Sequence, residues 1–150
     1  MDEPRPRWRI LVVDDDPALL AALTEGLALL GHHEVVPARD GAEGLARFFE
    51  VRPDCIVVDV RMPGLNGYQL VRALRGDVAT ANVPIIMLSA LVQDPDQVLG
   101  LLSGADAYLV KPVKMVDLIQ AIEHAVHLSA EERATHLRFL AHDAGSPGEG

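Results

Sequence analysis

Short apolar runs alternate with amphipathic stretches along most of the chain. Ile10 to Val13 is fully apolar and stops abruptly at Asp14, Asp15 and Asp16, the pattern of a strand buried on both faces. Pro17 suits a first helical turn, where its missing N–H costs nothing. Leu19, Leu20, Leu23, Leu27 and Leu30 follow at helical spacing, with Gly31 as the expected stop. The order then repeats. Glu34–Ala38 predicts a second strand, and Asp40-Gly41 opens a helix through about Glu50. Asp54–Val58 predicts a third strand ending at Asp59. A loop with Met62-Pro63-Gly64 and Asn66-Gly67 then leads to a helix from about Tyr68 to Arg75. Val83–Leu88 predicts a fourth strand terminating at Ser89, and Asp94 caps a weaker helix from about Pro95 to Ser103. Ala107–Val110 is the fifth strand, ending at Lys111-Pro112, and a helix runs from about Lys114 to Leu128 on the stripe Leu118, Ile119, Ile122 and Val126.

Five strands alternating with five helices predict an α/β domain, a parallel sheet covered on both faces, with right-handed crossovers. Residues 9–128 are expected to form this domain, after a flexible N-terminus over 1–8. Ser129 and Glu132 have the spacing of a capping box before a helical segment carrying Leu137 and Leu140. The Gly/Pro/Ser-rich stretch Ala144–Gly150 lacks core-forming residues and is expected to be disordered, so 129–150 reads as a helical extension and tail.

Composition narrows the function. With 49% hydrophobic and 4% aromatic residues the core must be aliphatic, and a formal charge of −9 argues against the basic face that direct nucleic-acid binding needs. The single cysteine, Cys55, lies in an apolar run and reads as a core residue; it gives neither a disulfide nor metal-ligand spacing. The charged, proline-broken start is unlike a signal peptide, and no apolar run approaches a membrane span. A cytoplasmic protein without membrane contact is expected. Arg5, Arg7 and Arg9 around Trp8 read as a frayed terminus, and His124 with His127 as a solvated helix face.

The candidate chemistry sits at the strand ends. In an open parallel sheet, ligands bind outside the carboxyl ends of the strands, and there the chain places Asp14, Asp15, Asp59, Ser89 and Lys111. Clustered carboxylates repel in a partly dehydrated site and call for a cation. Oxygen donors without His or Cys favour Mg²⁺, Mn²⁺ or Ca²⁺ over Zn²⁺. A carboxylate can also act as a nucleophile and form an acyl phosphate, with a metal, an ammonium, a hydroxyl and backbone N–H groups on the phosphoryl oxygens.

With these residues in place the chain resembles a response-regulator receiver domain of two-component signalling. The matching pieces are ILVVDDDP (10–17), PDCIVVD (53–59), MPGLNG (62–67), PIIMLSA (84–90) and GADAYLVKP (104–112). The resemblance implies a flavodoxin-like, doubly wound sheet of order 2-1-3-4-5. It implies Asp59 as phosphoacceptor and Asp14 and Asp15 as ligands of Mg²⁺ (or Mn²⁺), with Asp59 and the backbone carbonyl of Arg61 completing the protein's share. Asp16 makes three acids in a row and leaves open which two face the metal. Ser89 and Tyr108 match the switch hydroxyl and aromatic, Lys111 the lysine that pairs with the phosphoryl group, and the Lys111-Pro112 bond is expected cis. Ala107 and Val113 depart from the residues frequent there.

The implied function is a phosphorelay switch. It takes its phosphoryl group from a sensor histidine kinase or histidine phosphotransfer protein and catalyses its own phosphorylation and dephosphorylation without being a turnover enzyme. A downstream target protein or output domain reads it, and the last helix offers a possible homodimer face. Three rivals remain: a phosphatase of the haloacid-dehalogenase type using Asp14-x-Asp16, an interaction module without the chemistry, and the receiver part of a longer DNA-binding or enzymatic regulator.

Overall fold

The computed structural model describes residues 7–89 and 104–135. Five parallel strands, β1 (Arg9–Val13), β2 (Glu34–Ala38), β3 (Cys55–Asp59), β4 (Ile85–Ser89) and β5 (Ala107–Val110), form one sheet in the order β2-β1-β3-β4-β5. The helices among the described residues are α1 (Pro17–Leu29), α2 (Gly41–Val51), α3 (Gly67–Arg75), α4 (Met115–Val126) and α5, described over 130–135. The parallel sheet expected from the alternation is present, in the doubly wound order 2-1-3-4-5 that the resemblance implied. The helix expected over Pro95–Ser103 with its Asp94 cap, Leu137 and Leu140, and the tail lie outside the described residues.

Two cores follow from the two-residue period of the strands. On one face Leu11, Val13, Ile56, Val58, Ile85 and Met87 pack against Phe48 of α2 and Leu70, Val71 and Leu74 of α3. On the other, Ile10, Val12, Cys55, Val57, Ile86 and Leu88 meet Leu20, Leu23 and Leu27 of α1 and Leu118 and Ile122 of α4. β1, β3 and β4 are interior strands, which is why their sequences are nearly unbroken apolar runs. Each buried Leu, Ile or Val contributes about 1.5–3 kcal/mol. Pro37 is tolerated because β2 is an edge strand.

Several boundaries differ from the sequence pattern. Asp59 and Ser89 are the last residues of β3 and β4, not the first residues beyond them, because the ladder continues through the pairs Asp59–Leu88 and Ser89–Val110. Strand β4 starts at Ile85. The Pro84 carbonyl still accepts from Ile56 N (2.9 Å), while the Val83 carbonyl accepts from the Arg75 guanidinium. α1 ends before Leu30, which is 63% exposed and not core; the left-handed residue after it is His32 (φ 56°), not Gly31.

The N-terminus also needs correction at Trp8 and Arg9. The Trp8 ring stacks on His33 with centroids 5.2 Å apart and meets the edge of His127, so neither Trp8 nor His127 is merely solvated. Arg9 opens β1, and its guanidinium donates to Val51 O and to Glu34. The predicted capping box holds: Glu132 N donates to Ser129 Oγ (3.0 Å) and Ser129 N to Glu132 Oε1 (3.2 Å).

Candidate functional site

The carboxyl ends of β1, β3, β4 and β5 carry the expected residues to one rim. Asp14 follows β1, held there as its N–H donates to Ala38 O of β2 (3.1 Å). Its side chain is 1% exposed, and Oδ1 accepts from the Asp16 N–H (2.9 Å). Asp16 in turn caps α1, its Oδ1 accepting from Ala18 N and Leu19 N. The third acid is thus turned to the helix end, where a carboxylate satisfies orphan N–H groups. Asp14, Asp15 and Asp59 together present oxygens within 4.8 Å of one another.

Asp59 is 5% exposed at the end of β3. The chain after it is drawn close: Gly67 N donates to Val60 O (3.0 Å), and a Cβ on Gly67 would lie 2.5 Å from Asp59 O. Glycine is thus required where α3 starts against the backbone of Asp59, and Asn66 caps α3 in a reciprocal box with Gln69. Gly64 (φ 76°) turns the loop between them.

Lys111 reaches into this cluster from the end of β5. Its Nζ lies 2.8 Å from Asp59 Oδ1 and 3.4 Å from Asp14 Oδ2, and its N–H donates to Ser89 O (2.6 Å). The following Lys111-Pro112 bond is cis. Burial pushes the Asp59 carboxyl above its ordinary range, partly offset by the Lys111 hydrogen bond and reinforced by the charges of Asp14 and Asp15. Burial pulls the Lys111 ammonium down, but the hydrogen bond to Asp59 and the charges of Asp59 and Asp14 outweigh it, leaving Lys111 raised. Both shifts have one meaning. Two buried carboxylates share one ammonium with Asp15 close by, so Asp59 and Lys111 both hold their protons more tightly and the rim is short of positive charge.

The donor set fits a hard divalent cation: carboxylate oxygens converging at a half-open rim, with no soft ligand among them. Arg61, exposed in the loop after β3, places its backbone two residues beyond Asp59. A cleft of about 790 Å³ opens from Asp14 and Asp15 between α1 and α2, with Arg39, Glu43 and Arg47 on one wall. Sequence reasoning did not single out these two arginines, since neither lies at an interior strand end.

A family match accords with such a rim on a sheet of this order. The family model described as "Response regulator receiver domain" covers residues 10–123. The chain belongs to the response-regulator receiver family. Relatives of this receiver include the "DNA-binding response regulator MtrA" of Mycolicibacterium smegmatis, 42% identical over 131 residues, spanning 87% of this chain and 56% of that protein. The "Transcriptional regulatory protein PrrA" of Mycobacterium tuberculosis is 48% identical over 115 residues, 77% of this chain and 48% of its own. The chain thus spans about half the length of these curated relatives. Among solved structures, the chemotaxis protein CheY4 of Vibrio cholerae superposes with a TM-score of 0.73 at 31% identity, covering 80% of this receiver and 99% of that chain. In a receiver whose Asp16 serves as a helix cap, the Asp14-x-Asp16 phosphatase reading has no support left.

The remaining expected residues are also placed. Ser89 is 1% exposed at the end of β4. Tyr108, central in β5, packs against the α2–α3 core, and its hydroxyl is buried without a hydrogen-bond partner among the described residues. The described residues contain no helix long and apolar enough to cross a membrane.

Unforeseen was a second polar cluster at the opposite rim. The Asp106 carboxylate, 1% exposed, accepts from Arg133 Nε (2.6 Å), Arg75 Nη2 (3.2 Å) and Ile85 N (2.8 Å). Arg133, 3% exposed and borne by α5, also donates to Asn82 O and Ala125 O (both 2.9 Å). Arg75 donates to Gly104 O (2.8 Å) and Ala81 O (3.0 Å). Burial, helped by the Arg133 charge and opposed by Asp106, brings the Arg75 guanidinium down to about 10. No periodicity announced this. An arginine directly after two glutamates in the first turn of a capped helix reads as surface.

Proposed function

We propose that the protein is a phosphorelay switch in which Asp59 accepts a phosphoryl group from a phosphohistidine on a sensor histidine kinase or histidine phosphotransfer protein. The observation that carries this reading is the double engagement of Asp59, which belongs to the three-carboxylate cluster and is also paired with Lys111 at 2.8 Å. An Asp59 oxygen attacks phosphorus in line, the P–N bond breaks, and the imidazole nitrogen leaves with the bonding pair. Asp14, Asp15, Asp59 and the carbonyl of Arg61 would hold Mg²⁺ or Mn²⁺, which supplies positive charge for the phosphoryl oxygens. Lys111 moves from the carboxylate to a phosphoryl oxygen, and the Ser89 hydroxyl donates to another. The same groups catalyse loss of the phosphoryl group to water, so the protein promotes its own modification and its reversal.

The switch reading rests on Tyr108. Its hydroxyl is buried and has no partner among the described residues, a state that costs about 1–3 kcal/mol, so the strand carrying it has an incentive to rearrange. The added charge of about −1.5 to −2 draws Ser89 toward the phosphoryl group and lets Tyr108 reorient, changing the face made by β5 and α4. A tenfold population shift needs only about 1.4 kcal/mol of differential stabilisation. Ser89→Ala should still accept a phosphoryl group on Asp59, more slowly, and the modified variant should lose the effect of phosphorylation on partner affinity.

The decisive experiment is incubation with Mg²⁺ and phosphoramidate followed by intact mass. One added phosphoryl group, absent from Asp59→Asn and without metal, is expected; no adduct from either phosphoramidate or a cognate kinase overturns the reading and favours an interaction module. A second reading concerns context. Because MtrA and PrrA are about twice as long as the matched segment and are named as DNA-binding and transcriptional regulators, this receiver would serve as the input part of a longer regulator whose output domain contacts DNA. The mass of the protein in its native cells tests it.

A further inference from the structure

β5 is gripped by charge at both ends. At its carboxyl end Lys111 holds Asp59 and Asp14; at its amino end Asp106 holds Arg75 and Arg133. It is also lightly embedded. It has four residues, none fully buried, and a single neighbour, β4, whereas β1, β3 and β4 are buried almost throughout. Between its ends lies Tyr108, whose hydroxyl has no partner among the described residues.

Arg133 makes α5 part of this arrangement. Its guanidinium ties together β5 through Asp106, the turn before β4 through Asn82 O, and the end of α4 through Ala125 O. α5 is otherwise exposed, with Glu131, Glu132, Ala134 and Thr135 all facing solvent. Among the described residues of the segment that follows α4, Arg133 is the buried side chain that anchors it, at the rim opposite Asp59.

We propose that α5 is an output latch, held on the sheet by Arg133 and loosened through β5 when Asp59 is phosphorylated. The inference rests on the phosphorelay reading above. A phosphoryl group extends the acceptor outward from the rim, so the Lys111 contact moves outward with it. β5 follows in the direction that takes Asp106 away from Arg133. Arg75, on the rigid end of α3, keeps its own carbonyl partners and can hold Asp106 alone.

The test uses the full chain labelled with ¹⁵N-arginine, with Mg²⁺ and beryllofluoride standing in for the phosphoryl group. Loading is followed by ¹⁹F resonance, with Asp59→Asn as control. The Arg133 Nε–H signal, assigned by its loss in Arg133→Lys, reports the latch directly through its exchange with water. Exchange at least about threefold faster on loading is expected. By reciprocity, Arg133→Lys should bind beryllofluoride tighter by a similar factor, which a latch of purely structural importance would not produce. Loading with unchanged or slower exchange, or an unchanged beryllofluoride affinity in a folded Arg133→Lys, overturns the latch and leaves the phosphorelay reading standing. No loading at all overturns both. If the variant does not fold, through-bond assignment from the Arg133 backbone in ¹³C,¹⁵N-labelled wild type identifies the signal, and its exchange decides.

Discussion

At the rim where β3 ends, three carboxylates converge and two of them share one ammonium; at the other rim, one carboxylate is shared by two guanidiniums. Asp14 and Asp59 are buried like Asp106 and Arg133, yet the two clusters differ in how far their groups are satisfied. Asp106 accepts three hydrogen bonds, and Arg75 and Arg133 spend their remaining donors on backbone carbonyls. Asp59 and Asp14 rely on Lys111, and Asp15 faces solvent. A closed polar network stabilises one arrangement of the chain. An open one, short of positive charge, is suited to take up a cation and a phosphoryl group. The contrast separates a rim whose polar groups are satisfied before any reaction from the rim proposed to react.

The sharpest way to break the contrast is to remove the acid from each rim. Asp106→Asn strips the charge facing two buried guanidiniums and is expected to lower stability by about 3–5 kcal/mol, seen as a drop in the urea midpoint with unchanged slope. Asp16→Ala removes only the cap of α1. A loss of about 1 kcal/mol is expected, and Mg²⁺ affinity by fluorescence titration should stay within about twofold, against a much larger loss for Asp15→Ala.

Asp59→Asn should move stability the other way. The raised carboxyl of Asp59 means the folded state binds its proton more tightly than the unfolded chain does. Stability therefore falls as pH rises from the ordinary value of 3.8 through the raised one. At neutral pH in chelator the variant should match or exceed the wild type, and adding Mg²⁺ should reverse the order; a clear loss in chelator would contradict the charge balance described for this rim.

The smallest effect belongs to His33, 5% exposed beneath Trp8. Burial holds its imidazole below 6.5, countered in part by Glu123. The unfolded chain then takes the proton first, so stability declines as pH falls below 6.5 and levels off beneath the lowered value. Denaturation at several pH values should show this slope in the wild type and a flatter one in His33→Phe.

The sequence by itself determined the alternation of strands and helices, the apolar runs of β1, β3 and β4, and the residues gathered at the rim where the strands end. These are consequences of local periodicity and of where strands must end. Caps were legible for the same reason: Ser129 with Glu132 needs only a three-residue spacing. Tertiary structure decided which of three consecutive aspartates turns to the helix, since capping Ala18 and Leu19 competes with facing Asp59 only once β3 lies beside β1. It decided that Trp8 stacks on His33 and that Arg133 is buried. Those partners lie 25 and 27 residues apart, and no local pattern encodes a pairing that exists only after the sheet has brought the two stretches together.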